Sequence, residues 1–487
     1  MLSMIRIGRK PLKLFLVPMF ACMLSAAGCL QQQTGDRADV PPEGQTPARI
    51  TRYEGQMGKE VRSVYTTNRE LSLTFNGMAD AFTMKRLLDQ LDECGIKATF
   101  FLSGMRVAEE PELAAAIIAR GHEIENNTLN RRDLTKLPYE DIYKEIRLAN
   151  EIIERETGIK PQYVRTKSGD YNDEVRLAAA HAGLEAVVYY SVNPRDWDMK
   201  SAWEIADYVA HYITRGGIIT LSTDINPAVI EAIPLISQEA ERVGYKLVTL
   251  KELIRGGSER KPLELIEGYD AARINPDYAN AEYHMFERMD TGKREVALTF
   301  DDWGKDYRIT QILDILSEHD VKASFFLRMD GVKSNPNLAR AIAEEGHDVA
   351  NHTYNHPNVT EITAEELQEQ VVESHKVLTE AIQRQPAMLF RPPYGAIDET
   401  AAKAIAATGY KHIAQYDVTT FDWDTAVSAG QIVASVMEQT GNGSIILLHL
   451  QDELHTADAL PDIITRLKDN GYAFVRLSDW VSRHNNR

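Results

Sequence analysis

Apolar residues alternate with polar ones in short bursts along this chain. Leu71, Leu73 and Phe75 form one such burst, and Val296, Leu298 and Phe300 form another. A repeat of two is the signature of a strand with one face buried. Elsewhere the apolar positions spread to helical spacing, over 84–95, 309–318, 338–345 and 364–381. Compact apolar runs at 323–327, 413–416 and 445–448 read as strands buried on both faces. Strand and helix alternating at this pace predict α/β architecture around a mostly parallel sheet. In barrels of that class, functional side chains gather where the strands reach their C-terminal ends.

The pattern occurs twice. PELAAAIIARGHEIENNT, starting at Pro111, aligns with PNLARAIAEEGHDVANHT, starting at Pro336, and nine of the 18 positions are identical. The flanks align as well: NRELSLTFNG with KREVALTFDD, and KATFFLSG with KASFFLRM. The offset is 225 residues there and reaches 227 where GGIITLSTD meets GSIILLHLQ. A unit of about 190 residues is a whole domain rather than a solenoid repeat. The expected organisation is a leader over 1–28, a flexible tether over 29–60, a first copy over 61–255, a linker over 256–293 and a second copy over 294–487. Gln, Pro and Gly mark the tether, and Gly256-Gly257 and Pro276 mark the linker.

The leader changes the expected location. Arg6, Arg9, Lys10 and Lys13 precede an uncharged apolar run over 14–27. That is a secretory signal, too short for a comfortable membrane span. It ends in Ala26-Ala27-Gly28-Cys29, which resembles a bacterial lipobox with Ala26 in place of the usual Leu. The resemblance implies lipidation at Cys29 and an extracytoplasmic protein anchored to the cell membrane; plain secretion is the alternative. Cys22 leaves with the leader and Cys29 takes the lipid, so Cys94 has no disulfide partner and is expected as a small buried hydrophobe. Removing the leader carries the formal charge from −18 to −22. That balance excludes a nucleic-acid backbone as partner, which would demand clustered Lys and Arg.

The second copy holds the chemistry. Its first strand ends in Asp301-Asp302, and Asn351-His352-Thr-Tyr-Asn-His356 follows about fifty residues on. Two imidazoles four apart share a face if helical, or meet across a tight turn. With one carboxylate they make a ligand set for Zn²⁺ or a similar divalent ion, leaving positions open for water and substrate. The other carboxylate is then free to act as a base. Arg391-Pro-Pro-Tyr394-Gly395, Asp422-Trp423 and Leu447-Leu448-His449 come next in order.

This ordered set resembles the polysaccharide deacetylases of the NodB-homology type, the family 4 carbohydrate esterases, over residues 294–482. The resemblance implies two tandem distorted (β/α) barrels and a divalent metal, Zn²⁺ first with Co²⁺ or Ni²⁺ as alternatives. It implies that Asp302, His352 and His356 bind the metal and that Asp301 is the general base, oriented by Arg391. Tyr394 would offer its backbone N–H to the oxyanion. Trp423 and Leu447 would wall the acetyl pocket. Asp422 would pair with His449, which protonates the departing amine. Trp303 stands where the family often has Gly, and is expected to narrow the groove or stack on a sugar. Thr419 stands where the family has a further acid.

The first copy acts as an internal control. Asn76-Gly77 replace the Asp pair, Asn127 and Arg131 replace the two His ligands, and Ser222 replaces His449. This half is expected to lack a metal site and deacetylase activity. His122 matches His347 even there, so His347 is a framework residue; Arg165, Asp196 and Trp197 also persist, which implies a structural share in the roles of Arg391, Asp422 and Trp423. His375, His412 and His455 read as ordinary packing and solvation. The expected substrate is an N-acetylglucosamine glycan such as peptidoglycan or chitin. Two alternatives stand beside it: an esterase acting on O-acetyl groups of a polysaccharide such as xylan, and a non-catalytic glycan-binding surface protein.

Overall fold

A computed structural model describes residues 50–485. The leader, Cys29 and the tether up to residue 49 lie outside the described residues. Among the described residues two sheets form, one of eight strands and one of nine, and every strand pairing is parallel.

The first sheet contains β1 (Lys59–Val61), β2 (Glu70–Asn76), β3 (Thr99–Leu102), β4 (Glu123–Asn126), β5 (Tyr163–Val164), β6 (Ala186–Val188), β7 (Gly217–Ser222) and β8 (Lys246–Val248). Their order is β1-β6-β5-β4-β3-β2-β7, with β8 also on β2. The second contains β9 (His284–Phe286), β10 (Glu295–Asp302), β11 (Ser324–Leu327), β12 (Asp348–Asn351), β13 (Leu389–Phe390), β14 (His412–Ala414), β15 (Val418–Thr419), β16 (Ile445–His449) and β17 (Ala473–Phe474). Their order is β15-β16-β10-β11-β12-β13-β14-β9, with β17 also on β10. Helices cross between most successive strands, and neither path closes on itself. Each copy is therefore an incomplete (β/α) barrel, the distorted form that the sequence implies.

The duplicated sequence gives duplicated packing. Phe300 stacks on Phe325 at 4.9 Å and His347 meets Phe325 edge-on; Phe75, Phe100 and His122 repeat the arrangement, with the first pair 5.0 Å apart. Nδ1 of His347 accepts the Ala323 amide at 3.1 Å, and Nδ1 of His122 accepts the Ala98 amide at 3.1 Å. Both histidines are framework groups. Burial is the main force that pushes His347 down to about 3 and His122 down to about 4, so both are neutral inside the fold.

Several expectations need adjustment. The tether reading ran to residue 60, yet β1 begins at Lys59 and pairs with β6. The segment read as a linker supplies β9, which pairs with β14, and Ala272 joins the second copy's core. It is tied down further by His375, whose Nε2 donates to the Gly268 carbonyl at 2.8 Å, and by Gln368 on Asn275. Three-residue strands carry too few positions to show a period. Cys94 is half-buried at the C-cap of the helix Ala81–Glu93 rather than fully buried.

A buried ion pair joins the copies. Arg215 Nη1 lies 2.6 Å from Asp306 Oδ1, and both side chains are 1% exposed. Tyr245 and Asn335 donate to the same carboxylate, and Thr310 accepts from Arg215. Asn337 donates to the Val64 and Arg215 carbonyls. The Asp306 carboxylate and the Arg215 guanidinium are each paired, as the cost of burying charge demands.

Asp306→Ala leaves the Arg215 guanidinium buried without its anion, and a loss of about 3–5 kcal/mol is expected in chemical denaturation. A wild-type denaturation midpoint would show that the pair does not hold the copies. His122 and His347 take up protons only on unfolding, so stability is expected to fall by about 1.4 kcal/mol per pH unit for each as pH drops below 6.5. Urea unfolding at pH 7 and pH 5 checks this, and equal midpoints would contradict it.

Candidate active site

Strand β10 delivers Asp301 and Asp302 together. In a regular strand consecutive side chains point to opposite faces. Asp302 instead has φ 74°, and both carboxylates line one cleft of about 530 Å³ at the strands' C-terminal ends. Asp301 lies in register with His449 on β16 and Phe326 on β11.

The two histidines meet across a turn, not along a helix. Thr353 and His356 both have positive φ, and the His356 amide donates to Thr353 Oγ1 at 3.0 Å. His352 Nδ1 lies 2.8 Å from the Arg391 carbonyl. A carbonyl only accepts, so Nδ1 carries the proton and Nε2 keeps a free lone pair. Nε2 of His356 lies 3.5 Å from Asp302 Oδ1. Burial, then the neighbouring His352, pushes His356 below its ordinary value, which favours the neutral ligating form.

Asp302, His352 and His356 each offer one donor atom, all within 4.8 Å of one another. Among the described residues no other such group of His, Cys, Asp or Glu assembles. Asp302 Oδ1 is buried and has no hydrogen-bond partner. A buried anionic oxygen left unpaired is costly, and a cation shared with two imidazole nitrogens removes that cost. The donor set therefore fits a divalent ion.

Asp301 is held from the other side. Its Oδ1 accepts from Arg391 Nη1 at 2.8 Å; Arg391 is fully buried, donates to Thr299 Oγ1, and lies 4.1 Å over the Phe326 ring. Opposite, His449 Nδ1 donates to Asp422 Oδ1 at 2.8 Å, and Thr456 and the His449 amide donate to the other oxygen. Burial pushes the His449 imidazole down, but the Asp422 hydrogen bond and charge, with Asp301 and Asp302 beyond, raise it overall above its ordinary value. His449 Nε2 is the ring nitrogen left for chemistry.

Leu447, Trp423 and Tyr394 complete the walls. Trp423 packs its ring against His449, and Tyr394 packs against His356 while remaining 70% exposed. Trp303 is the exception to the sequence reading. It does not line this cleft but lies against Gly331 and the core, where even a Cβ at 331 would come within 2.1 Å of its ring. The cleft also includes Arg328 and Gln451, which sequence reasoning missed. Arg328 approaches Asp302 to 4.0 Å, and Gln451 donates to its Oδ2. The signal was present in the duplication: Ser103 and Asp224 stand at the matching strand-end positions.

In the first copy, Arg165 donates to Thr74 and lies 4.0 Å over Phe101, and Asp196 accepts the Ser222 amide at 2.9 Å. These residues repeat the contacts of Arg391 and Asp422, so part of their role is structural in both copies.

The sequence model of the polysaccharide deacetylase family matches residues 63–187 and 288–413. The chain is 41% identical over 189 residues to a peptidoglycan-N-acetylglucosamine deacetylase of Bacillus cereus, covering 38% of this chain and 67% of the relative. It is 27% identical over 408 residues to a peptidoglycan-N-acetylglucosamine deacetylase of Listeria monocytogenes, covering 81% of this chain and 84% of the relative. A third relative, 30% identical over 200 residues, is a peptidoglycan-N-acetylmuramic acid deacetylase of Bacillus subtilis; the match covers 41% of this chain and 75% of that protein.

Metal analysis of the purified chain after loading with Zn²⁺ is expected to find one tightly held equivalent, lost in Asp302→Ala. An Asp302→Ala variant that retained the equivalent would place the ion elsewhere.

Proposed function

The chain belongs to the polysaccharide deacetylase family, and on that premise we propose that its second copy removes acetyl groups from N-acetylglucosamine units of peptidoglycan with a divalent metal in the cleft. The chain is a polysaccharide deacetylase; the bond, the sugar and the metal are the proposal. One observation carries it: a cation-binding triad, a free carboxylate and a histidine–carboxylate pair converge on a single cleft.

Asp302, His352 and His356 would hold the ion, Zn²⁺ first with Co²⁺ or Ni²⁺ as alternatives, and when bound it would polarise the acetyl carbonyl and make water more acidic. Asp301 takes the proton from water as its oxygen attacks the carbonyl carbon. Arg391 keeps that carboxylate in one orientation and balances its charge. The backbone N–H of Tyr394 is the proposed donor to the oxyanion. Trp423 and Leu447 enclose the acetyl methyl. The carbon–nitrogen bond then breaks as protonated His449 gives its proton to the departing nitrogen.

The His449–Asp422 pair favours the amide reading over the ester one. An alcohol leaves more readily than an amine, so a cationic imidazole matters most for amide cleavage. Two curated relatives named for N-acetylglucosamine of peptidoglycan support the substrate. The leader and Cys29 support an extracytoplasmic, lipid-anchored enzyme beside its polymer.

Purified protein supplied with Zn²⁺ or Co²⁺ is expected to release acetate from peptidoglycan or chitin oligomers, and Asp301→Ala is expected to lower kcat by about 10²–10⁴-fold. Release from acetylated xylan alone would overturn the amide reading. The raised His449 keeps its acid form to higher pH, so Asp422→Asn is expected to move the alkaline limb of the pH–rate profile to lower pH. An unmoved limb would remove His449 as the acid.

A further inference from the structure

The first copy has a cleft of its own, of about 670 Å³. Asn76, Arg131, Ser168, Tyr190, Trp197 and Ser222 line it, at the places of Asp301, His356, Tyr394, Tyr416, Trp423 and His449 in the catalytic copy. The fold therefore presents a second groove at the same strand ends.

Its interior is rebuilt around a different ion pair. Arg131 keeps the backbone of His356: φ is 54° against 59°, and each amide donates to a threonine hydroxyl at 3.0 Å. Its guanidinium pairs with Asp224 at 3.2 Å. A Cβ at Gly77, the position of Asp302, would come within 2.9 Å of Arg131 Nη1 and 3.2 Å of the Asp224 oxygens. The pair thus occupies the space that the Asp302 side chain takes in the other copy, and Gly77 makes room for it. Asn127 stands in for His352: its Nδ2 donates to the Arg165 carbonyl at 2.7 Å, as His352 does to Arg391 at 2.8 Å. Asn127 Oδ1, fully buried, and Arg131 Nε are left without partners. Of the two, Arg131 lines the cleft, and its unpaired donor calls for a hydrogen-bonding ligand.

The walls indicate what kind. Trp197 is 49% exposed, and Tyr189 and Tyr190 stack at 4.0 Å on the same cleft. Flat aromatic faces with polar edges suit the apolar face of a sugar ring, whose hydroxyls then reach the polar groups. Three cationic side chains and three carboxylates line the cleft, so it has no net preference for an anion or a cation. Thr220 replaces Leu447, so the apolar wall proposed to meet an acetyl methyl is gone.

We infer that the first-copy cleft is a saccharide-binding site that holds a glycan chain against Trp197 without cleaving it. The identity of the sugar, an N-acetylglucosamine polymer, rests on the proposed function of the second copy; the site itself does not. It gives the chain two grips on one polymer, so a strand held by the first copy stays near the second.

Co-sedimentation of the leaderless two-copy chain with purified peptidoglycan tests this. Trp197→Ala is expected to weaken retention about tenfold, while deacetylation of an N-acetylglucosamine trimer, too short to need a second grip, keeps wild-type kcat and KM. Wild-type retention in Trp197→Ala, or equal loss of retention and trimer kcat, would overturn the inference. A chain that binds peptidoglycan through Trp197 yet frees no acetate would overturn only the enzymatic reading.

Discussion

Two adjacent carboxylates buried at the end of one strand repel each other, and the second cleft is organised around that repulsion. Asp301 and Asp302 are 5% and 6% exposed, so water does little to screen them. Arg391 answers the first charge at 2.8 Å. The second faces two imidazole nitrogens and carries a bare buried oxygen, which a divalent ion would satisfy. That difference would separate their chemistry: a carboxylate tied to a guanidinium keeps a lone pair for a proton, and one that held a metal would not.

The first copy shows what remains when both charges are removed. With Asn76 and Gly77 in their places, Arg165 stays buried without a carboxylate, and burial pushes its guanidinium down to about 9. It remains charged at neutral pH, held by Thr74, by the Val188 and Tyr189 carbonyls and by the face of Phe101. The buried arginine is therefore part of the barrel before it is part of a catalytic site. Deacetylation chemistry was added to, or removed from, a scaffold that stands either way. The Arg215–Asp306 pair then ties one copy to the other.

Much of this was legible in the sequence. The duplication exposed the scaffold, because Phe75 and Phe300, His122 and His347, and Arg165 and Arg391 recur at one offset. The same comparison exposed the chemistry, because Asp302, His352, His356 and His449 do not recur. What escaped was decided by tertiary packing. Trp303 follows the Asp pair directly, yet Gly331, near only in space, offers a slot that draws its ring out of the cleft. Arg215 and Asp306 are 91 residues apart, and nothing local to either marks them as partners. Arg328 and Gln451 lay at strand ends, where the difference between copies was visible but carried no familiar motif.

The position of a bound ion tests the account most directly. Crystals of the wild-type protein grown with Zn²⁺, with diffraction recorded at the zinc absorption edge, are expected to show an anomalous peak flanked by Asp302, His352 and His356 and none beside Asn127 and Arg131. A triad left empty at saturating zinc, or an ion seated instead in the first-copy cleft, would contradict it.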